Sequence, residues 1–474
     1  MRGRVSAVTE EGGSTTPDPS YDVGAGADPA SRGPADAAAT STAAATPGTV
    51  PTATAAAAES AQAAPRRRWR DDLRLLRRRD LGLVLVSRLV SDFGTGIAPI
   101  ALAFGVLALP GGNASALGVV LLCAALPRVV FLLLGGVIGD RVRNRARLMA
   151  IAEAAAGAAH LAAGLLFLTG HATVPALAVL AVVGGSAASI YYPTSTALVP
   201  QLVSGQDLQS ANALMRLSTS VAGILGTAMG GVLVATVGPG WGLVVDAATY
   251  AASAVLLTLV RTRSRSDQRD GSSSMLADLA HGWREFTARR WVWLIVLLFS
   301  ISNFGFTVAI GVLGPVLSLD AYDGAPSWAA VMVSFSLGTL VGVVVAMRLT
   351  PVHPLLVGML AQMVVAAPLV AMAVPTSLPL LIAVSFVCGV GVDIFEIMWI
   401  TTLQQHVPPE SLSRVSSYDW FGSLALTPVA LAVAGPLSSW LGLQGALWVC
   451  AVLGAAACLG IFDPQIRRLR ARPS

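Results

Sequence analysis

From about residue 80 onward the chain is a series of long apolar runs broken by short polar segments. Runs of about 20 apolar residues, the length of a helix that crosses a hydrocarbon core of about 30 Å, recur twelve times. They lie near 81–109, 114–138, 146–169, 173–195, 213–237, 241–260, 291–316, 327–349, 354–374, 377–400, 416–440 and 443–462. The pattern predicts an all-α polytopic membrane protein with twelve transmembrane helices.

Those runs repeat. Ser91-Asp92-Phe93-Gly94 and Ser302-Asn303-Phe304-Gly305 stand 211 positions apart, and Val203 to Leu208 and Val407 to Leu412 stand 204 apart, an offset that Gly231 and Gly435 share. Matching elements at nearly equal offsets predict one six-helix unit used twice, with the substrate bound where two pseudo-symmetric halves meet. The expected organisation is a 1–64 tail, a 65–260 first half, a 261–290 linker, a 291–462 second half and a 463–474 tail. Residues 1–64 are rich in Ala, Thr, Pro, Ser and Gly, with too few apolar side chains to offset the entropy of ordering, which predicts a disordered tail. Two segments have the spacing of interfacial helices, Trp69 to Arg79 and Met275 to Arg290, the latter with Leu276, Leu279, Trp283 and Phe286 on one face.

Composition supports lipid contact, since 54% of residues are hydrophobic and 12% charged. All basic charge is arginine, and it is distributed unevenly. Arginines crowd the segment before the first span, the second connection, the sixth (Arg261 to Arg290) and the tail, whereas the connections near 110, 170, 239, 320, 375 and 442 have none. Under the positive-inside rule both termini and the central loop are cytoplasmic in the cell's inner membrane. The charge is therefore topological, and no nucleic-acid partner is expected. Cys123, Cys388, Cys450 and Cys458 lie within apolar runs without paired or metal-ligand spacing, so neither a disulfide framework nor a zinc site is expected. There is no lysine for a Gly-x-x-x-x-Gly-Lys phosphate loop, so neither a primary pump, an enzyme nor a bound cofactor is expected.

The stretch Gly136-Val137-Ile138-Gly139-Asp140-Arg141-Val142-Arg143-Asn144-Arg145 resembles the signature Gly-x-x-x-Asp-Arg-x-Gly-Arg-Arg of the major facilitator superfamily. The resemblance implies the major facilitator fold and assigns Gly136, Asp140, Arg141 and Arg145 to a cytoplasmic gating latch between the halves. Arg143 replaces the family's glycine and Asn144 an arginine; in the second half Ala346 stands where the aspartate would be. Further stretches, Tyr192-Pro193 through Pro200, Leu208 to Leu214 and Asp246 to Tyr250, look like the branch that contains enterobactin exporters and macrolide efflux proteins. Gly226-Thr227-Ala228-Met229-Gly230-Gly231 also approaches the Gly-Pro-x-x-Gly-Gly element of drug and proton antiporters, with Thr227 in place of proline.

Carboxylates deep in a span cost about 2.5–3.5 kcal/mol on insertion scales and often mark ion or proton routes. Arg88 and Asp92, four apart on the first span, can pair on one helix face. They are the candidate proton-coupling pair, or a static pair holding that span in place. Asp393 and Glu396 on the tenth span are a second candidate proton or cation site. Glu153, His160 and Asp246 read as packing or interhelix bonding. Arg128, Tyr192, Asn303 and Trp399 are possible substrate-lining residues, with interface placement the alternative for the aromatic ones. The expected function is proton-coupled export of a small amphipathic compound by a monomer working by alternating access. A nutrient importer or facilitator, or a non-transporting sensor or scaffold, remains open.

Overall fold

The computed structural model describes residues 78–141, 144–203, 205–261 and 283–471. The predicted tail 1–64 and interfacial segment Trp69 to Arg79 fall almost wholly outside them, as does the linker from 262 to 282.

The described chain is helical. The first half comprises α1 (Arg79–Leu107), α2 (Ala114–Arg141), α3 (Arg145–Leu168), α4 (Val174–Leu202), α5 (Gly205–Thr236) and α6 (Pro239–Thr258). In the second, α7 runs from Arg290–Phe306 through a π-helical turn at Thr307–Leu313 to Gly314–Ala321, and α8 is Ala325–Ala346. Next come α9, which starts as Pro354–Gln362 and ends as Ala366–Ala373 with a 3-10 turn between, and α10 (Leu378–His406).

The remaining apolar run, Val415–Phe462, has 48 residues. A straight helix of that length would measure about 72 Å, more than twice a hydrocarbon core of about 30 Å. Gly442, at φ 71° and ψ 167°, interrupts it with a backbone that only glycine adopts freely. The chain turns back there, since Ala446 and Leu447 join the core formed with α1 and α2 while Gly460 lies against Met359 at the start of α9. α11 is therefore 409–441 and α12 is 443–462. The twelve predicted spans are all present among the described residues.

The repeats are visible in the packing. Gly94 of α1 lies against Asp246 and Thr249 of α6, and its counterpart Gly305 of α7 lies against Cys450 and Leu453 of α12. Likewise Gly231 of α5 touches Ala329 of α8, and Gly435 of α11 touches Ser115 of α2. The first pair joins helices within each half; the second joins the halves to each other.

Those inter-half contacts all lie near the arginine-poor end. There one core draws on both halves, including Ile100 and Phe104 of α1, Leu117 of α2, Val312 of α7, Trp328 of α8 and Leu431 of α11. At the arginine-rich end the halves have separate cores, one around Leu81, Met149 and Leu198 and the other around Ile295, Met359 and Phe395. Among the described residues the molecule is closed at the arginine-poor end, and its halves keep separate cores toward the other. Apolar side chains such as Val179, Val255, Val344 and Val452 are exposed on the outer helix faces, as expected of a surface that meets lipid.

Local chemistry explains several helix starts. Pro239, Pro326, Pro354 and Pro379 stand in first turns, where the missing N–H has no helical partner to lose. Asn144, a departure from the superfamily signature, accepts a hydrogen bond from the Arg147 amide at 3.0 Å and caps α3. From the predicted interfacial helix, the described part places Trp283 and Phe286 against Tyr418 of α11, with ring centroids 5.5 and 5.8 Å away.

Candidate functional site

Asp92 stands midway along α1 and is almost fully buried. Arg88 Nε lies 3.3 Å from its Oδ2, the pairing predicted from the four-residue spacing. Thr219 of α5 accepts from Arg88 Nε at 3.0 Å and donates to Asp92 Oδ2 at 2.7 Å. A second guanidinium nitrogen of Arg88 donates to Ser195 of α4 at 3.0 Å. One carboxylate and one guanidinium thus tie together α1, α4 and α5. A buried pair of this kind is a weak source of stability, but either member costs much more when left alone.

A second polar group surrounds Glu153 of α3. Ser91 donates to its Oε1 at 3.1 Å. Further along α3, His160 Nδ1 is hydrogen-bonded to Oδ2 of Asp246, a fully buried residue of α6. Tyr250 lies edge-on to His160 and shares a 3.2 Å hydrogen bond with Thr95. Asp92, Thr95, Arg128, Glu153, Tyr191 and Tyr250 line a small cavity of about 40 Å³. Arg128 therefore lines the same small cavity as Asp92.

The second half holds a larger cavity, of about 220 Å³, whose walls include Asn303, Phe335, Glu396, Trp399, Asp419 and Trp420. It is aromatic and acidic. Phe299 and Phe395 stack with centroids 4.1 Å apart, and Trp399 Nε1 donates to Asp419 Oδ2 at 2.9 Å. Glu396 points into this space, whereas Asp393, three residues earlier, is turned toward α8, where Thr339 is its hydrogen-bonding partner and Gly342 leaves room for it. Arg216, on α5 of the other half, is close enough for its charge to act on both carboxylates.

The structure brings together Arg88 with Asp92, and Asn303 with Glu396 and Trp399. It separates Asp393 from that second cavity. Gly136 lies in α2 where only the backbone is described, as do Asp140 and Arg141, the side chain of Tyr192 in α4 likewise lies outside the described ones, and Arg145 begins α3. Four contributors escape a reading of the sequence. Ser195 and Thr219 carry no charge to single them out, and Asp419 sits among aromatics at the edge of its span. Arg216 had a usable signal: it is the single arginine between Arg147 and Arg261. Among the described residues no group of His, Cys, Asp and Glu is arranged to hold a metal ion.

Comparison with known proteins agrees with this architecture. The chain is 25% identical to the multidrug efflux pump Tap of Mycolicibacterium fortuitum over 417 residues, 83% of this chain and 98% of that protein. Among solved structures, a mutant of the nucleoside transporter NupG superposes with a TM-score of 0.67 at 13% identity, covering 81% of this chain and all of that one. A D-xylose-proton symporter superposes with a TM-score of 0.59 at 14% identity, covering 81% of this chain and 97% of that one. The family model of the Major Facilitator Superfamily matches residues 84–426. With two six-helix halves, charged groups buried midway along their helices and this match over most of its length, the chain belongs to the Major Facilitator Superfamily of membrane transporters.

Proposed function

We propose that the protein is a proton-coupled exporter of small amphipathic compounds bearing an aromatic surface and a basic group. The observation that carries this reading is the Asp92 carboxylate, held by Arg88 and Thr219, with Arg88 also bonded to Ser195. A proton on Asp92 cancels its attraction for Arg88 and loosens three helices at once, so protonation is linked to helix arrangement. The acidic and aromatic walls of the larger cavity favour a cation with a flat apolar body, through charge and cation–π attraction.

Export is favoured over uptake by the likeness to a multidrug efflux pump. With the arginine-rich end cytoplasmic by the positive-inside rule, the separate cores at that end correspond to a cytoplasm-facing state that would load substrate from inside the cell. In this reading the protein works as a monomer in the inner membrane with both termini cytoplasmic. Asp140, Arg141 and Arg145 form the gate, Asp92 and Arg88 couple the proton, and Glu396 with Asn303 and Trp399 receives substrate.

The test is accumulation of ethidium and a panel of antibiotics in an efflux-deficient host expressing the native chain or Asp92→Asn, with and without a protonophore. Lowered accumulation that both changes abolish supports coupled export. Raised accumulation that survives the protonophore would instead mean an importer or facilitator.

A further inference from the structure

We propose that Glu153 is a proton-binding site, exchanging its proton with Asp92 across the small cavity between α1 and α3. The side chain is 3% exposed; its Oε1 accepts from Ser91, and its Oε2 forms no well-aligned hydrogen bond, with the Ser253 hydroxyl of α6 beside the carboxylate. A buried carboxylate attended only by serine hydroxyls, with no cation bonded to it, is costly as an anion, far less so as a neutral acid.

The groups around Glu153 point the same way. From α1 it meets Ser91 and the charge of Asp92; from α6, Ser253 and the charge of Asp246. Tyr191 of α4, Tyr250 of α6 and Arg128 of α2 line the same cavity. On its own helix, one turn pair away, stands His160. Three carboxylates therefore share this patch with three basic side chains. Two of these are engaged elsewhere: Arg88 binds Asp92, Thr219 and Ser195, and His160 binds Asp246. The third, Arg128, is exposed at the cavity.

Glu153 and Asp92 face one small cavity of about 40 Å³, large enough for a bridging water. Transfer of the Glu153 proton to the Asp92 carboxylate, directly or through that water, leaves Asp92 neutral and Glu153 anionic, with the total charge of the patch unchanged. Arg88 is then freed from its partner, and Glu153 keeps the Ser91 hydrogen bond, with Arg128 lining the same space. Release of the proton now on Asp92, together with uptake of a fresh one by Glu153, restores the starting arrangement. Proton storage and the helix-linking ion pair thus belong to adjacent groups. The functional consequence rests on the coupled-export reading; the proton on Glu153 does not.

The experiment is infrared difference spectroscopy of the full-length protein in lipid at neutral pH, which detects the carbonyl stretch of a protonated carboxyl without any substrate. The expected result is a protonated-carboxyl band that disappears in Glu153→Gln, persists in Asp92→Asn and shifts in frequency in Ser91→Ala, which removes the hydroxyl bonded to Oε1. A Glu153→Gln spectrum that superposes on the native one overturns the proposal. If Glu153→Gln does not fold, an unshifted band in Ser91→Ala overturns it instead. Ethidium flux under an imposed pH gradient separates the two readings: a band assigned to Glu153 with no gradient-driven flux leaves the proton site standing and removes the exporter.

Discussion

Thr219 Oγ1 lies 2.7 Å from Asp92 Oδ2 and 3.0 Å from Arg88 Nε, so a single hydroxyl bridges both members of the buried ion pair. Substituting valine keeps the shape and removes the bridge. Hydrogen bonds to charged groups are worth about 1.5–3 kcal/mol, and about 1.4 kcal/mol is tenfold in rate. Thr219→Val is therefore expected to lower proton-driven efflux about tenfold or more with membrane expression retained, while Thr219→Ser stays near the native rate. Equal rates in all three proteins would show that the hydroxyl is a bystander.

Gly231 and Gly435 occupy equivalent places in the two halves, and each meets the opposite half at the closed end. A Cβ on Gly231 would stand 2.5 Å from that of Ala329, and one on Gly435 would meet Ser115. Overpacking of this kind costs about 1–3 kcal/mol, and here the strain is relieved by opening the arginine-poor end. Gly231→Leu should make that end more accessible. In a background with Cys123, Cys388, Cys450 and Cys458 replaced, a cysteine at the buried Ala434 is expected to react faster with a membrane-impermeant maleimide when Gly231→Leu is present. Unchanged reactivity would mean that the contact does not hold the end shut.

The aromatic and acidic cavity makes a separate prediction about selectivity. Glu396→Gln and Asp419→Asn remove negative charge while keeping size, and Trp399→Phe removes the donor to Asp419. Attraction between a carboxylate and a cation at a solvent-accessible site contributes up to about 1 kcal/mol, so each charge-removing variant is expected to weaken transport of cationic dyes up to several-fold and to spare neutral aromatic compounds. Parallel loss of both substrate types would assign these side chains to folding or gating instead.

Much of this architecture is legible in the sequence because the bilayer imposes a length on every span, and because Ser91 to Gly94 and Ser302 to Gly305 echo each other. The sequence also divides the eleventh span from the twelfth, and the structure supplies the reason in the positive-φ backbone at Gly442. The Arg88–Asp92 pair was readable from its spacing, since i and i+4 face one way on a helix. Its third partner was not. Thr219 lies 127 positions from Asp92, and nothing local marks one threonine in an apolar run as the one that meets a carboxylate. Glu153 and Asp246 read as separate packing residues because the sequence does not show that α3 and α6 enclose them beside α1. Asp393 and Glu396 show the reverse case: adjacent in sequence, they diverge to α8 and to the cavity.

Arg216 extends this logic across the cleft. It belongs to α5 of the first half, is exposed, and acts on Asp393 and Glu396 of the second at the end where the halves have separate cores. Across a parted and wet cleft such attraction is weak, of the order of 0–1 kcal/mol. When the halves close there, water is excluded and the same charges interact more strongly. Arg216→Ala should thus disfavour closure of the arginine-rich end and slow transport, and Arg216→Glu should do so more severely. Asp393→Arg introduced alongside Arg216→Glu is expected to recover part of that loss, since a coupled pair in a double-mutant cycle commonly differs from additivity by 0.5–3 kcal/mol. Transport rates of the two single variants and the double variant, at matched expression, decide the matter: strictly additive losses would show that Arg216 and Asp393 act independently, and the interaction across the cleft would then fall to Glu396 alone.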